Sequence, residues 1–173
     1  IGELDDAALM DKLGHPGVHP EGRFLPETYV YTRGDSDLDV LRRANQSLEL
    51  ALQAAWEARV PGLPLDDAEQ ALVLASIIEK ETGKAAERPE ISGVFTRRLK
   101  MGMRLQTDPT VIYGLPNYRG DLRRQDLAYD HPWNTYLHKG LPPTPIASPG
   151  AAAIKAALWP AKTDALFFVS RND

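Results

Sequence analysis

Two glutamates, Glu79 and Glu81, flank Lys80 at the end of the apolar run Ala71-Leu72-Val73-Leu74-Ala75-Ser76-Ile77-Ile78. At about 100° per residue of helix, the apolar face centres near Ile78. Glu81 then falls between the directions of Leu74 and Ile77, about 60° from that centre. Glu79 lies about 100° away on the other flank beside Leu72, and Lys80 points to the opposite side. A carboxyl set among Leu and Ile loses solvation, which disfavours its charged form. The last helical turn carries partial negative charge and pushes the same way. Such a carboxyl holds its proton near neutral pH, as a general acid must. Glu81 is the better candidate of the two. The same residues also fit a solvated helix end, with both glutamates paired to Lys80, Lys84 or an arginine.

Two further clusters carry polar groups suited to a ligand. In Gln106-Thr107-Asp108-Pro109-Thr110, Thr107 or Asp108 reads first as the cap of a short helix with Pro109 in its first turn. Gln106 has no such duty and can hydrogen-bond a sugar amide or hydroxyl. In His131-Pro132-Trp133-Asn134-Thr135-Tyr136, followed by Gly140-Leu141-Pro142-Pro143, aromatic, amide and hydroxyl groups share a proline-held loop. That mixture suits a carbohydrate cleft, because sugars present apolar faces rimmed by hydroxyls. Tyr and Trp in such loops serve equally well as core plugs.

Several chemistries are excluded or disfavoured. The chain has no cysteine, which removes thiol nucleophiles, disulfides and thiolate zinc sites. Of its four histidines, His15, His19, His131 and His138, only His15 and His19 stand four residues apart, and Pro16 and Gly17 between them break any helix, so neither a metal nor a cofactor is expected. Phosphate loops and serine elbows are absent. A net charge of −4 argues against a nucleic-acid partner. The 173 residues suffice for one domain with a real core. No run of 18 apolar residues or signal peptide is visible, but the first residue is Ile1, so missing targeting segments carry little weight.

The elements that must position these groups are mostly helices. A small helix around Asp5 to Leu13 stops at Gly14, and turns follow at Pro16, Gly17, Pro20 and Gly22. Phe24, Tyr29, Val30 and Tyr31 suit extended strands. A long helix capped within Asp35 to Asp37 ends near Trp56. The glutamate-bearing helix opens at Asp66, with Glu69 completing a capping-box pattern, and stops by Gly83. The next starts near Pro89, with Ile91, Val94, Phe95 and Leu99 inward and Arg97, Arg98 and Lys100 outward. Short helices follow over Thr110 to Tyr113 and from Ser148-Pro149 to Leu158, the latter with Ser148 as cap. Leu166 to Ser170 reads as a strand. The expected class is α+β: helices dominate residues 36–100, and the flanking extended segments form a small antiparallel or mixed sheet. Residues 1–35 read as an extended linker from an upstream region, and 36–173 as the main domain.

Three blocks, in order, resemble one family. They are Leu74-Ala75-Ser76-Ile77-Ile78-Glu79-Lys80-Glu81-Thr82, then Arg104-Leu105-Gln106-Thr107-Asp108-Pro109-Thr110-Val111-Ile112-Tyr113-Gly114, then Asn134-Thr135-Tyr136 with Gly140-Leu141-Pro142-Pro143 and Ile146-Ala147-Ser148-Pro149-Gly150. The pattern looks like the catalytic domain of the YceG-like endolytic murein transglycosylases, from about Glu21 onward. The resemblance implies cleavage of the β-1,4 bond between N-acetylmuramic acid and N-acetylglucosamine in nascent strands, leaving 1,6-anhydro ends. It places the catalytic glutamate within Glu79-Lys80-Glu81. That role is carried onto Glu81, with Glu79 as the fallback. It also implies substrate-binding roles for Gln106, Thr107, Asn134 and Tyr136, peptidoglycan synthases as partners, and no cofactor. The family's usual membrane helix and small LysM-like region have no counterpart here, and its domain runs past the last strand. By resemblance, the whole protein is anchored in the inner membrane and works on the periplasmic side. Two alternatives stay open: a muramidase that admits water, and a non-catalytic peptidoglycan-binding module.

Overall fold

The computed structural model describes residues 4–168. Six helices are ordered as α1 (Asp6–Leu13), α2 (Asp37–Glu57), α3 (Ala68–Glu81), α4 (Arg88–Lys100), α5 (Asp108–Gly114) and α6 (Ala151–Leu158), with one 3-10 turn at Asp126–Ala128. The starts of α2 and α3 have local causes. Ser36 caps α2 and forms a reciprocal capping box with Asp39. The α3 cap is Asp67, one residue later than the sequence pattern suggests; its carboxylate accepts from the Gln70 amide. Gly150, not Ser148, is the N-cap residue of α6.

The core forms around α3. Residues 71 to 78 are all buried, so this helix is apolar on nearly every side. It packs most heavily on α6 and also touches α2, α4 and α5. Leu72, Leu74, Ile77 and Ile78 of α3 join Phe95 of α4, Leu105, and Ile154 and Leu158 of α6 in one cluster. Each such side chain contributes roughly 1.5–3 kcal/mol by leaving water. Helix α2 presents Ala44, Leu48, Leu52, Ala55 and Trp56 along one stripe. The buried Ser76 hydroxyl, which donates to the Val73 carbonyl, accepts from the Ile146 amide and ties the loop before α6 to α3.

The expected sheet does not form: among the described residues there is no strand, and the class is all-helical rather than α+β. The segment of Phe24, Tyr29, Val30 and Tyr31 is extended, but its backbone bonds go elsewhere. The Leu25 amide donates to the Ala44 carbonyl of α2, and the Val30 carbonyl accepts from Arg43. Val30 and Tyr31 lie exposed, so the segment offers no apolar face for a sheet to bury. Leu166 to Phe168 is likewise irregular, and the rest of that expected strand, residues 169–170, lies outside the described residues.

One more expectation fails usefully. Arg98 does not face outward; it is 5% exposed. Its Nε donates to the Leu166 carbonyl at 2.7 Å and its Nη1 to the Leu105 carbonyl. The guanidinium also lies 4.9 Å from the Phe167 ring centre. The C-terminal strap reaches this position because it crosses α4 at Gly93. A Cβ there would stand 2.4 Å from the Ala161 carbonyl oxygen.

Candidate active site

Glu81 is the last residue of α3, where the helix gives way to extended backbone at Thr82. Its carboxyl is half-buried and meets the Thr107 hydroxyl, which donates to Oε2 at 2.6 Å. Burial raises the proton affinity of Glu81 above the ordinary carboxyl value. The Thr107 hydrogen bond opposes that shift, the charge of Asp108 adds to it, and Arg98 opposes it more weakly. The balance favours a carboxyl that carries a proton where exposed glutamates do not.

Glu79, two residues earlier, has a different environment. One oxygen accepts from Arg88 at 2.8 Å and the other from the Gly150 amide at 3.0 Å. Gly150 is the N-cap residue of α6, so Glu79 satisfies an amide at the start of that helix and fastens α6 to α3. Both its oxygens are engaged by the fold.

The turn that carries Thr107 is held from three directions. Leu105 is fully buried and its carbonyl is taken by Arg98. Gln106 has φ +49°, the one positive value outside glycine among the described residues. A non-glycine residue there signals backbone strain held by its surroundings. Those surroundings are Thr135, whose carbonyl accepts from the Gln106 amide and whose hydroxyl accepts from the Thr107 amide. The Thr135 and Thr110 hydroxyls are 2.7 Å apart, and Thr110 donates to the Thr107 carbonyl. The consequence is that the Gln106 side chain is turned to solvent beside Glu81's partner Thr107, while Thr107 itself is 2% exposed.

Asp108 opens α5 and does not cap it; Thr107 occupies the cap position with no side-chain cap bond. Instead the Asp108 carboxylate, exposed, accepts from the Tyr136 hydroxyl at 2.6 Å. Burial raises the Tyr136 phenol well above its ordinary value, with the Asp108 hydrogen bond and the nearby carboxylates adding to the shift. The phenol therefore remains a donor. Asn134, by contrast, is fully buried. Its amide nitrogen donates to the Leu127 and Tyr129 carbonyls, and its oxygen accepts from the Tyr136 amide. It positions Tyr136 and offers no free group to a ligand.

Glu81, Thr107, Asp108 and Tyr136 thus converge, the exposed Gln106 adjoins them along the chain, and Asn134 stands behind as support. Sequence reasoning missed the role of Arg98 and reduced Asp108 to a cap. Arg98 lies four residues after Val94 and seven after Ile91, the spacing of the buried stripe, and that spacing was the available signal. At the far end of α5, Tyr118, Arg119, Arg123 and Tyr129 line an open concavity of about 530 Å³. The seven residues of α5, about 10 Å of helix, separate Thr107 from Leu115 on the rim of that concavity. No group of His, Asp and Glu suited to a metal occurs among the described residues.

The comparisons with known proteins point one way. The chain is 34% identical over 177 residues to the endolytic murein transglycosylase of Bacillus subtilis, covering 99% of this chain and 48% of that protein. It is 36% identical over 104 residues to the endolytic murein transglycosylase of Streptococcus pneumoniae, covering 57% of this chain and 19% of that protein. The crystal structure of a yceG-like protein from Listeria monocytogenes matches with a TM-score of 0.77 at 30% identity, over 96% of this chain and 57% of that one. The chain therefore spans about half the length of the Bacillus subtilis relative and less of the pneumococcal one. The YceG-like family pattern itself covers residues 3–173, nearly the whole sequence, and this chain belongs to that family.

Proposed function

We infer that this chain is the catalytic domain of an endolytic lytic transglycosylase acting on peptidoglycan, with Glu81 as general acid and then base. The observation that carries this reading is the half-buried Glu81 carboxyl, raised in proton affinity and held by Thr107 beside the exposed Gln106. The substrate is the β-1,4 bond between N-acetylmuramic acid and N-acetylglucosamine. Protonated Glu81 gives its proton to the bridging oxygen as the C1–O bond breaks. The C6 hydroxyl oxygen of the same muramic residue then bonds to C1, and its proton returns to the Glu81 carboxylate. The product ends in 1,6-anhydro-N-acetylmuramic acid, and water takes no part. An internal nucleophile gains from proximity, so this plan differs from glycosidases that must activate water.

The other residues fall into supporting roles. Thr107 orients Glu81, Gln106 presents an amide to the sugar, Tyr136 donates at the edge of the site, and Asn134 holds Tyr136. Residues 36–173 form the catalytic domain, and residues 1–35 lead into it from upstream. The activity belongs at the outer face of the inner membrane, with membrane anchoring supplied from outside this chain and peptidoglycan synthases as partners. None of the helices among the described residues is long and apolar enough to cross a membrane.

Mass analysis of glycan fragments tests the reading. The wild-type protein should release fragments lighter by one water than hydrolytic products, and Glu81→Gln should release none while still binding strands. Wild-type turnover by Glu81→Gln would remove the assignment, and fragments of hydrolytic mass would make the enzyme a muramidase. Binding without any cleavage by wild type would leave a glycan-binding module.

A further inference from the structure

Asp108 is the one acidic residue of this site that the mechanism above leaves without a task. It follows Thr107, whose hydroxyl contacts Glu81 at 2.6 Å, and its own carboxylate is fixed by Tyr136 at 2.6 Å. It is exposed, whereas Glu81 is half-buried. It lies in the first turn of α5, where the helix dipole favours a carboxylate, but it makes no cap bond, and its hydrogen bond runs to Tyr136 instead. The two carboxyl groups thus occupy contrasting environments in one cluster, near enough for the charge of Asp108 to act on Glu81. Such a pair is the usual arrangement when one carboxyl acts as an acid and the other as an anion.

Resting on the assignment of Glu81 above, we propose that Asp108 is a second catalytic carboxylate: an anion, aimed by the Tyr136 hydroxyl, that supports the positive charge developing at the anomeric carbon. Bond-making is unchanged: the proton still leaves from and returns to Glu81, and the C6 oxygen still forms the new bond. Asp108 forms no bond to the sugar. Its negative charge stabilises the oxocarbenium-like centre and also holds the proton on Glu81 in the resting site. The other groups facing Glu81 act differently. Arg98 of α4 opposes Asp108 in charge, the Thr107 hydroxyl favours the carboxylate form, and Tyr136 remains neutral. On α3 itself, Lys80 is exposed and Glu79 is engaged by Arg88 and Gly150.

The test is the pH dependence of kcat and KM for wild type, Asp108→Asn and Asp108→Glu. Asparagine can still accept from Tyr136 but carries no charge. Asp108→Asn should lose about 100-fold in kcat with KM little changed, the size expected for one electrostatic group. Its alkaline limb should move to lower pH, because Glu81 loses the neighbour that holds its proton. Asp108→Glu should recover part of the rate. A carbon-13 titration of the Glu81 carboxyl in the same variants, assigned with Glu81→Gln, reads the midpoint without turnover. Wild-type kcat, or a lower kcat with an unmoved limb and midpoint, overturns the proposal. Should Asp108→Asn melt early, Asp108→Ser is read in the same way. Inactive Glu81→Gln with unaffected Asp108→Asn sinks this inference alone, whereas active Glu81→Gln sinks the assignment on which it rests.

Discussion

Glu79 and Glu81 stand two residues apart on α3, yet their carboxyl groups serve different structures. Glu79 joins Arg88 to the start of α6, while Glu81 turns to the hydroxyl of Thr107. An offset of two residues rotates a helical side chain by about 200°, so the two cannot share a face. The division has a direct consequence. Glu79→Gln keeps an acceptor for the Gly150 amide and loses the ion pair with Arg88, whose side chain is 12% exposed. We expect a stability loss of about 1–3 kcal/mol, as for a charge-assisted hydrogen bond, with turnover within a few-fold of wild type. Denaturant unfolding read beside the glycan assay checks both halves. Complete loss of turnover in a folded Glu79→Gln protein would transfer the acid role to Glu79.

Thr107→Val removes the hydroxyl that donates to Glu81 while keeping the side chain's shape. That hydrogen bond favours the ionised carboxyl, so without it the proton is held more tightly. Activity that needs protonated Glu81 is lost as pH rises through its folded-state value, and the alkaline limb should therefore move upward. The carboxyl also loses its orientation, and kcat should fall by roughly 10-fold or more. A pH–rate profile distinguishes these effects: a drop in kcat with a limb that moves down would contradict the hydrogen bond's direction.

The helices were legible because their causes are local. The cap within Asp35 to Asp37, which the structure places at Ser36, Gly14 after α1, and the apolar stripe through Leu74, Ile77 and Ile78 all act within a few residues. The helical angle alone also placed Glu81 near the core. The sheet was misread because extended propensity at Tyr29, Val30 and Tyr31 says nothing about a partner strand, and α2 supplied the backbone contacts instead. Nor could spacing along the chain bring Thr107 to Glu81, or Tyr136 to Asp108. Those contacts span 26 and 28 residues and depend on the Thr110 and Thr135 hydroxyls, which hold the Thr107 backbone. Arg98 was misplaced because charge was weighed above position.

That buried arginine carries its own prediction. Arg98→Met approximates the volume and the apolar stem but leaves the Leu105 and Leu166 carbonyls without their donor. The buried Leu105 carbonyl left unsatisfied costs about 1–3 kcal/mol and the half-buried Leu166 carbonyl adds less, so a loss of about 3 kcal/mol is expected. For a protein of this size that corresponds to roughly 10 °C in Tm. Calorimetry or thermal circular dichroism checks it. A wild-type Tm would mean that water replaces the guanidinium at no cost.

Gly114→Ala tests the scaffold from the other end of α5. A Cβ at position 114 would lie 2.1 Å from Nδ1 of His131, whose ring is 8% exposed and packed near Tyr129 and Trp133. The ring must shift against those two aromatics, and over-packing of this kind costs about 1–3 kcal/mol. The displaced loop leads through Asn134 to Tyr136, so kcat should fall along with stability. An alanine variant with wild-type stability and turnover would show that the loop yields freely.

The last prediction concerns the cost of holding a proton acid in a half-buried place. Glu81 has a folded-state proton affinity raised above its ordinary value, chiefly through burial. The folded protein therefore binds that proton more tightly than the unfolded chain does. By linkage, this contribution to stability is fully present below the unfolded value, and it declines as pH rises through the folded one. Above that window the fold holds an ionised, poorly hydrated carboxylate. Glutamine at position 81 never ionises and still accepts from Thr107. Glu81→Gln should match wild type in stability under acid conditions and exceed it progressively as pH rises through the window, while turnover is abolished. Urea unfolding of both proteins across that range reads the difference directly. A constant difference at every pH, or a wild type that gains on the variant as pH rises, would mean that Glu81 is not held against its own ionisation.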